Sequence, residues 1–392
     1  MVSFNFDPKV NVRFGCGRLN DLATIALPGK KALIITTNGG SVRRFGTLDR
    51  VTKLLEQNNV ESVVYSDVSP NPLATEDMAA AAFGKENGCD FVIGLGGGSA
   101  IDAAKLVALM CTNPGTLSDY MKDGKPIVNA PLPVVSITTT SGTGSEVDPN
   151  AVASFVETNE KIGYGDDSLI PVIAIVDPEL MVTAPANLTA YQGMDTFFHL
   201  SENYISSKAN VMSEMFILKG LELVNKYLPR AVADGTDLEA RYYMAYACTI
   251  AGYVLGFGGT GSQHPMEHSL SAFHHNIPHG AGLIMLSDSY FRFFADKDDC
   301  PRRYAEMARA MGMDVDSMAE EDRPGAFLAA LTNLKKACGV NDLKMSDYGV
   351  TLDEMPKFAE DARRTGTGSF EENDRYRLSL EETISIYEKA FK

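Results

Sequence analysis

Long apolar runs are missing from this sequence of 392 residues. None approaches the roughly 18–20 residues needed to span a bilayer, so no membrane partner is expected. Basic charge is scarce as well: 35 Lys and Arg stand against 51 Asp and Glu, for a formal net charge of −16. A nucleic-acid binder normally shows a basic face, so that partner is not expected either. The start, "MVSFNFDPKVNVRFG", has no basic stretch leading into an apolar core, and no secretory signal is read there. The six cysteines (Cys16, Cys89, Cys111, Cys248, Cys300 and Cys338) are scattered, with no CxxC pair. In a chain this long they read as reduced thiols of a cytoplasmic protein rather than a disulfide framework. Histidine is scarce and unevenly placed. Of six, His264, His268, His274, His275 and His279 fall within "HPMEHSLSAFHHNIPHG" (264–280), and His199 lies upstream in "GMDTFFHLSENY".

What is present describes a globular chain of two domains, since single cores stop growing well below this length. Its hydrophobic share of 45% and charged share of 22% place it among ordinary folded proteins rather than disordered ones. "KALIITTN" (31–38), "VESVVYSDV" (60–68), "DFVIGLGGG" (90–98) and "PLPVVSITTT" (131–140) are short β-type runs, and "IPVIAIVDPEL" (170–180) resembles one more. Amphipathic stretches such as "TLDRVTKLLEQNN" alternate with them, which predicts an α/β domain with a parallel sheet over residues 1–185. The Pro-punctuated "VTAPANLTA" (182–190) reads as an interdomain turn. Beyond it the runs turn helical, predicting an all-α domain over 186–392.

Two loops of the first half suit phosphate. "GLGGGSAIDAAK" (94–105) follows an apolar strand and opens a helix, whose N-terminal N–H groups and dipole favour an anion. It is neither a P-loop nor a GxGxxG motif, and a tight strand-to-helix turn is the bland alternative. "TTTSGTGSE" (138–146) is a second loop of the same kind. Two such loops at the carboxyl ends of parallel strands belong at a ligand crevice. Neither carries a basic residue, so backbone and hydroxyl donors would hold the phosphate.

The second half offers metal ligands. Asp195 and His199 are spaced i, i+4, as are His264 and His268, so each couple shares a helix face. Asp195, His199, His264 and His279 make a four-ligand set for one divalent metal, and a single carboxylate leaves the ion effective as a Lewis acid. Taken singly, each of these residues is more often a cap, a surface group or a satisfied core residue; the paired spacing is what favours ligands. His274 and His275 read as solvent-facing loop residues.

Together, "PNP" (70–72), "GGGSAIDAAK", "TTTSGTGSE", "IVDPEL", "LTAYQGMDTFFH" and "HPMEHSLSAFHHNIPHG" make the sequence resemble the iron-containing (group III) alcohol dehydrogenases, over about residues 10–290. "GGSVRR" and "EHSLSAF" look closest to the butanol dehydrogenase and aldehyde reductase branch that uses NADPH. The resemblance implies a dehydroquinate synthase-like fold, with a dinucleotide-binding α/β domain and a helical metal-binding domain. It also implies metal ligands at Asp195, His199, His264 and His279, with Fe2+ or Zn2+ as the ion, and a catalytic proton relay at His268. Cofactor positions fall on Gly96, Gly97, Gly98 and Ser99, with Asp102 supporting the turn, and on Thr139, Thr140 and Thr143. Asn71, Lys161 and Leu180 follow less directly.

Where many members place an Asp after the first cofactor strand, this chain has Gly39, Gly40 and Ser41, with Arg43 and Arg44 nearby. A carboxylate repels a 2′-phosphate, so this loop predicts NADP(H) over NAD(H). The implied reaction moves hydride between that cofactor and a small alcohol or aldehyde, in the cleft between the domains, by a homodimer or larger homo-oligomer. A competing reading is a non-redox metal lyase of the dehydroquinate synthase type. It would need basic residues for a phosphorylated substrate, and Lys208, Lys219, Lys226, Arg230, Arg241 and Arg292 do not cluster near the histidines. A catalytically inactive metal- and nucleotide-binding protein is the other alternative.

Overall fold

The computed structural model describes residues 2–392, which divide into two compact units. One spans residues 7–183; the other joins residues 184–392 to residues 2–6.

The first unit contains β1 (Asn11–Phe14), β2 (Lys31–Thr37), α1 (Ser41–Arg44), α2 (Thr47–Gln57), β3 (Glu61–Val68), α3 (Ala74–Glu86) and β4 (Phe91–Gly96). It continues through α4 (Gly98–Thr112), α5 (Leu117–Met121), β5 (Val134–Thr138), β6 (Asn150–Phe155), β7 (Glu160–Gly165) and β8 (Ile173–Val176). Six strands form one parallel sheet in the order β1-β8-β5-β4-β2-β3. Side chains alternate across it: Leu33 and Ile35 of β2 enter the core on one face, Ala32 and Ile34 the core on the other. Burial on both faces is why β2, β4, β5 and β8 read as largely apolar runs. α4 is apolar on nearly every side and lies buried along almost its whole length.

The sequence reading did not include β1 or the antiparallel β6–β7 hairpin. β1 has only four residues, two of them polar or charged in "NVRF", and the hairpin strands mix Asn150, Ser154, Glu160 and Lys161 with apolar residues. Their register comes from pairing partners, which short polar strands do not announce.

From β2 the chain goes outward to β3 and returns on the other side to β4, so the strand order reverses between β2 and β4. Open α/β sheets bind ligands outside the carboxyl ends of the strands at such a reversal. The loops after β2, β4 and β5 leave from this edge.

Buried charge braces two of them. The fully buried Lys105 Nζ donates to Ser145 Oγ (2.9 Å), Asp148 Oδ1 (2.9 Å), the Asp148 carbonyl (3.0 Å) and the Asn150 carbonyl (2.6 Å). Ser145 Oγ donates in turn to Asp102 Oδ1 at 2.5 Å, while Asp102 Oδ2 accepts from Val152 N at 3.1 Å. α4, the loop after β5 and the hairpin are thereby stapled together. Asp77 of α3 is a different case. It is fully buried, and neither carboxyl oxygen meets a hydrogen-bond partner. Burial, with Glu76 and Asp102 nearby, pushes its carboxyl well above the usual range.

The second unit holds α6 (Ala186–Ile205), α7 (Val211–Ala233), α8 (Leu238–Gly258), α9 (Gln263–Phe273), α10 (His279–Phe294), α11 (Cys300–Ala310), α12 (Arg323–Ala337), α13 (Met355–Thr365) and α14 (Leu380–Ala390) around one core. Helix α6 takes in half of the stretch expected to be an interdomain turn. Pro185 caps it with a φ of −60°, and the chain is helical from Ala186 onward. No described helix is long and apolar enough to cross a membrane.

Two outcomes follow from the buried charges. Lys105→Met leaves Asp148 buried without its cation and is expected to cost about 3–5 kcal/mol in denaturant unfolding; an unchanged midpoint would contradict the staple. Asp77→Val is expected to stabilise the protein by about 1–3 kcal/mol at pH 7. The wild-type carboxyl is neutral in both states below about pH 4, and stability is lost as pH rises toward its raised folded value. The advantage of the variant should therefore shrink as pH falls toward 4, and a pH-independent difference would refute this account.

Candidate active site

In the helical unit, three helices bring four side chains to one point. Asp195 and His199 sit one turn apart on α6, His264 lies in the first turn of α9, and His279 opens α10 directly after Pro278. Asp195 Oδ1 lies 3.3 Å from His264 Nε2, 3.6 Å from His199 Nε2 and 3.6 Å from His279 Nε2. Donors on a tetrahedron with bonds of about 2.0–2.1 Å stand about 3.4 Å apart, so the spacing suits a divalent transition metal. Asp195, His199 and His264 are also mutually within 4.8 Å through their ligand atoms. The side chain of His279 is 23% exposed, whereas those of Asp195, His199 and His264 are at most 7% exposed, so the open side of the centre lies at His279.

Charge points the same way. Burial alone would raise the Asp195 carboxyl, but His199, His264 and His279 hold it well below the usual range. Burial opposes a charge on His264, yet Glu202 and Asp195 push it up to about 10. The carboxylates thus draw positive charge into the centre, and a proton or a divalent cation satisfies the same demand.

Two residues that sequence reasoning missed complete the surroundings. Glu202 Oε1 lies 2.6 Å from His264 Nδ1, and Glu267 Oε2 is hydrogen-bonded to His279 Nδ1. Both glutamates are fully buried. The available signal was a repeated H-x-x-E, "HLSE" (199–202) and "HPME" (264–267), which puts a glutamate on each histidine's helix face. His268 is half-buried, with its ring 5.4 Å from that of His279. His275 is exposed as expected. His274 corrects the expectation: it is half-buried and paired with Glu354 at 3.0 Å, an ion-pair partner about 80 residues ahead that local pattern cannot supply.

In the sheet unit, the loops converge as their strands require. Thr139 N donates to the Gly96 carbonyl at 2.9 Å, and Asn71 N approaches Ser99 Oγ at 3.4 Å. A Cβ on Gly97 would stand 2.9 Å from Thr140 Oγ1, and one on Gly98 would collide with Thr143. Glycine is what lets these loops lie side by side with free N–H groups at the start of α4. Asp102 sits beneath, both oxygens taken by protein donors. Lys161 is buried in β7, and Leu180 is buried just beyond β8. Gly39 is exposed, with open space where a side chain would go; Gly40 has a φ of +67°, and Ser41 opens α1. Arg44 reaches back to the Gly39 carbonyl at 3.4 Å.

Comparison with known proteins identifies the family. The family model for iron-containing alcohol dehydrogenase matches residues 8–178, and the model for the C-terminal part of the same family matches residues 189–391. The chain is 31% identical to the NADH-dependent butanol dehydrogenase A of Clostridium acetobutylicum, over 100% of both chains. It is 32% identical to the 1,3-propanediol dehydrogenase of Klebsiella pneumoniae, over 93% of this chain and 92% of that one. Among solved structures, an alcohol dehydrogenase from a halo-thermophilic archaeon of a Red Sea brine pool superposes with a TM-score of 0.93 at 31% identity, over 100% of both chains. With both halves matched in order, the chain belongs to the iron-containing alcohol dehydrogenase family.

Proposed function

We propose that the protein is a metal-dependent alcohol dehydrogenase and aldehyde reductase that moves hydride between NADP(H) and a small alcohol or aldehyde of the butanol type. The observation that carries this reading is the single oxygen, Asp195 Oδ1, within 3.6 Å of three imidazole nitrogens from three helices. Asp195, His199, His264 and His279 are the residues that would hold Fe2+ or Zn2+, and cellular availability rather than this ligand set selects between them. Bound there, the ion supplies Lewis acidity toward a carbonyl or alkoxide oxygen, while the dinucleotide supplies the hydride.

The chain's own residues bind and orient. Free N–H groups at Gly97, Gly98 and Ser99, with the hydroxyls of Thr139, Thr140 and Thr143, hold the pyrophosphate without a basic side chain. Asp102 and Lys105 keep these loops in register from below. Asn71, Lys161 and Leu180 line the same region in this reading. His268, beside His279 but outside the four-residue set, passes a proton between solvent and the substrate oxygen.

The NADP(H) preference rests on this chain's own loop, since the Clostridium relative is described as NADH-dependent. Gly39 leaves room for a 2′-phosphate, and Arg43 and Arg44 stand exposed beside it. All six cysteines are free thiols, which supports a reducing, cytoplasmic setting. A homodimer or larger homo-oligomer completes the proposal.

Metal content of the purified protein, followed with NADPH-dependent reduction of butyraldehyde, tests the centre. His264→Ala should lose bound metal and lower turnover by more than roughly 100-fold, beyond what loss of a backing hydrogen bond alone costs. Full retention of both would reject the ligand set. Gly39→Asp fits sterically and should lower kcat/KM with NADPH by roughly 10-fold or more, the effect of about 1.4 kcal/mol of repulsion. Wild-type turnover with NADH equal to that with NADPH at matched concentration would reject the cofactor preference.

A further inference from the structure

The two buried glutamates are arranged in a way that no single helix reveals. Glu202 lies on α6 three residues after His199, yet its Oε1 meets His264 Nδ1 on α9 at 2.6 Å. Glu267 lies on α9 three residues after His264, yet its Oε2 meets His279 Nδ1 on α10. Each H-x-x-E thus backs a histidine on another helix, not its own. In both cases the carboxylate takes the Nδ1 side of a ring whose Nε2 faces Asp195 Oδ1.

Glycines make room for both carboxylates. A Cβ on Gly282, one turn into α10, would stand 2.7 Å from Glu267 Cγ and 3.0 Å from its Oε1. A Cβ on Gly261 would stand 3.4 Å from Glu202 Oε2, 2.8 Å from Tyr290 Oη and 2.9 Å from Asp374 Oδ1. These are built positions. A glutamate without exposed surface is costly unless a specific interaction holds it.

We infer that Glu202 and Glu267 are positioning residues of the metal centre: by accepting Nδ1–H from His264 and His279, they fix each ring with its Nε2 lone pair aimed at the ion, and they determine how tightly the ion is held. This rests on the reading of Asp195, His199, His264 and His279 as ligands. A histidine ligand whose second nitrogen donates to a carboxylate is locked in one tautomer and one orientation, and is a more basic donor. Together with Asp195, the two glutamates also place three buried carboxylates around one dication, favouring its retention.

The test uses full-length protein stripped of metal by a chelator and titrated with Co2+, following the visible absorption that reports coordination geometry. Wild type should bind one equivalent tightly. Glu202→Ala and Glu267→Ala should each weaken Co2+ binding by about 10–100-fold and alter the spectrum. Glu202→Gln and Glu267→Gln keep an oxygen able to accept Nδ1–H, and should recover the wild-type spectrum and most of the affinity. In a His279→Ala background, where no ring remains to orient, Glu267→Ala should weaken binding much less than in wild type. Tight wild-type binding with unchanged affinity and spectrum in both Ala variants would overturn this inference alone. Should an Ala variant fail to fold, Gln variants that bind and absorb no better than His264→Ala would overturn it equally. A wild-type protein that takes up no Co2+ would overturn the metal centre itself.

Discussion

One carboxylate oxygen organises the helical half of this protein. Asp195 Oδ1 is approached by three imidazole nitrogens, each from a different stretch of helix, at separations of 3.3–3.6 Å. Four ionisable side chains do not gather around one another in a buried place without a charge to hold them there, because desolvation opposes each of them. Here the carboxylate is driven well below its usual range while a neighbouring imidazole is driven up to about 10. Such a grouping suits a cation, and it depends on how α6, α9 and α10 pack.

The surrounding residues carry the arrangement outward. Pro278 and the first turn of α10 place His279 on the open side, and the five residues between α9 and α10 are tied down by the C-terminal segment. His274 is paired with Glu354 there, and Asn276 Nδ2 donates to the Tyr348 carbonyl at 3.2 Å. Tyr387 of α14 donates to the Met266 carbonyl at 2.6 Å, in the same turn of α9 as His264 and Glu267. The last hundred residues, which offer no motif of their own, thus hold the histidine segment in register.

In the sheet unit the governing constraint is close approach. The loops after β4 and β5 lie so near each other that only glycine fits at 97 and 98. Lys105, buried with Asp148, Ser145 and Asp102, fixes that approach from beneath. A loop that binds phosphate through its backbone has no flexible basic side chain to compensate for misplacement, so rigidity below is what keeps its N–H groups aimed.

Much of this was legible in the residue order. Short runs of β type marked five of the parallel strands, and β2, β4, β5 and β8 stood out most because a strand buried on both faces must be largely apolar. The i, i+4 spacing of Asp195 with His199 and the clustering of histidine at 264–279 singled out the four side chains that converge, since helical periodicity is a local property. What periodicity cannot tell is which helix lies beside which. The crossed pairing of Glu202 with His264 and Glu267 with His279, the ion pair of His274 with Glu354, the staple at Lys105 and the pairing of β6 with β7 all join residues whose meeting depends on how whole elements pack. The sequence alone determined which side chains were available on each face; only the tertiary structure decided which faces met, because burial and pairing are settled by contacts distant along the chain.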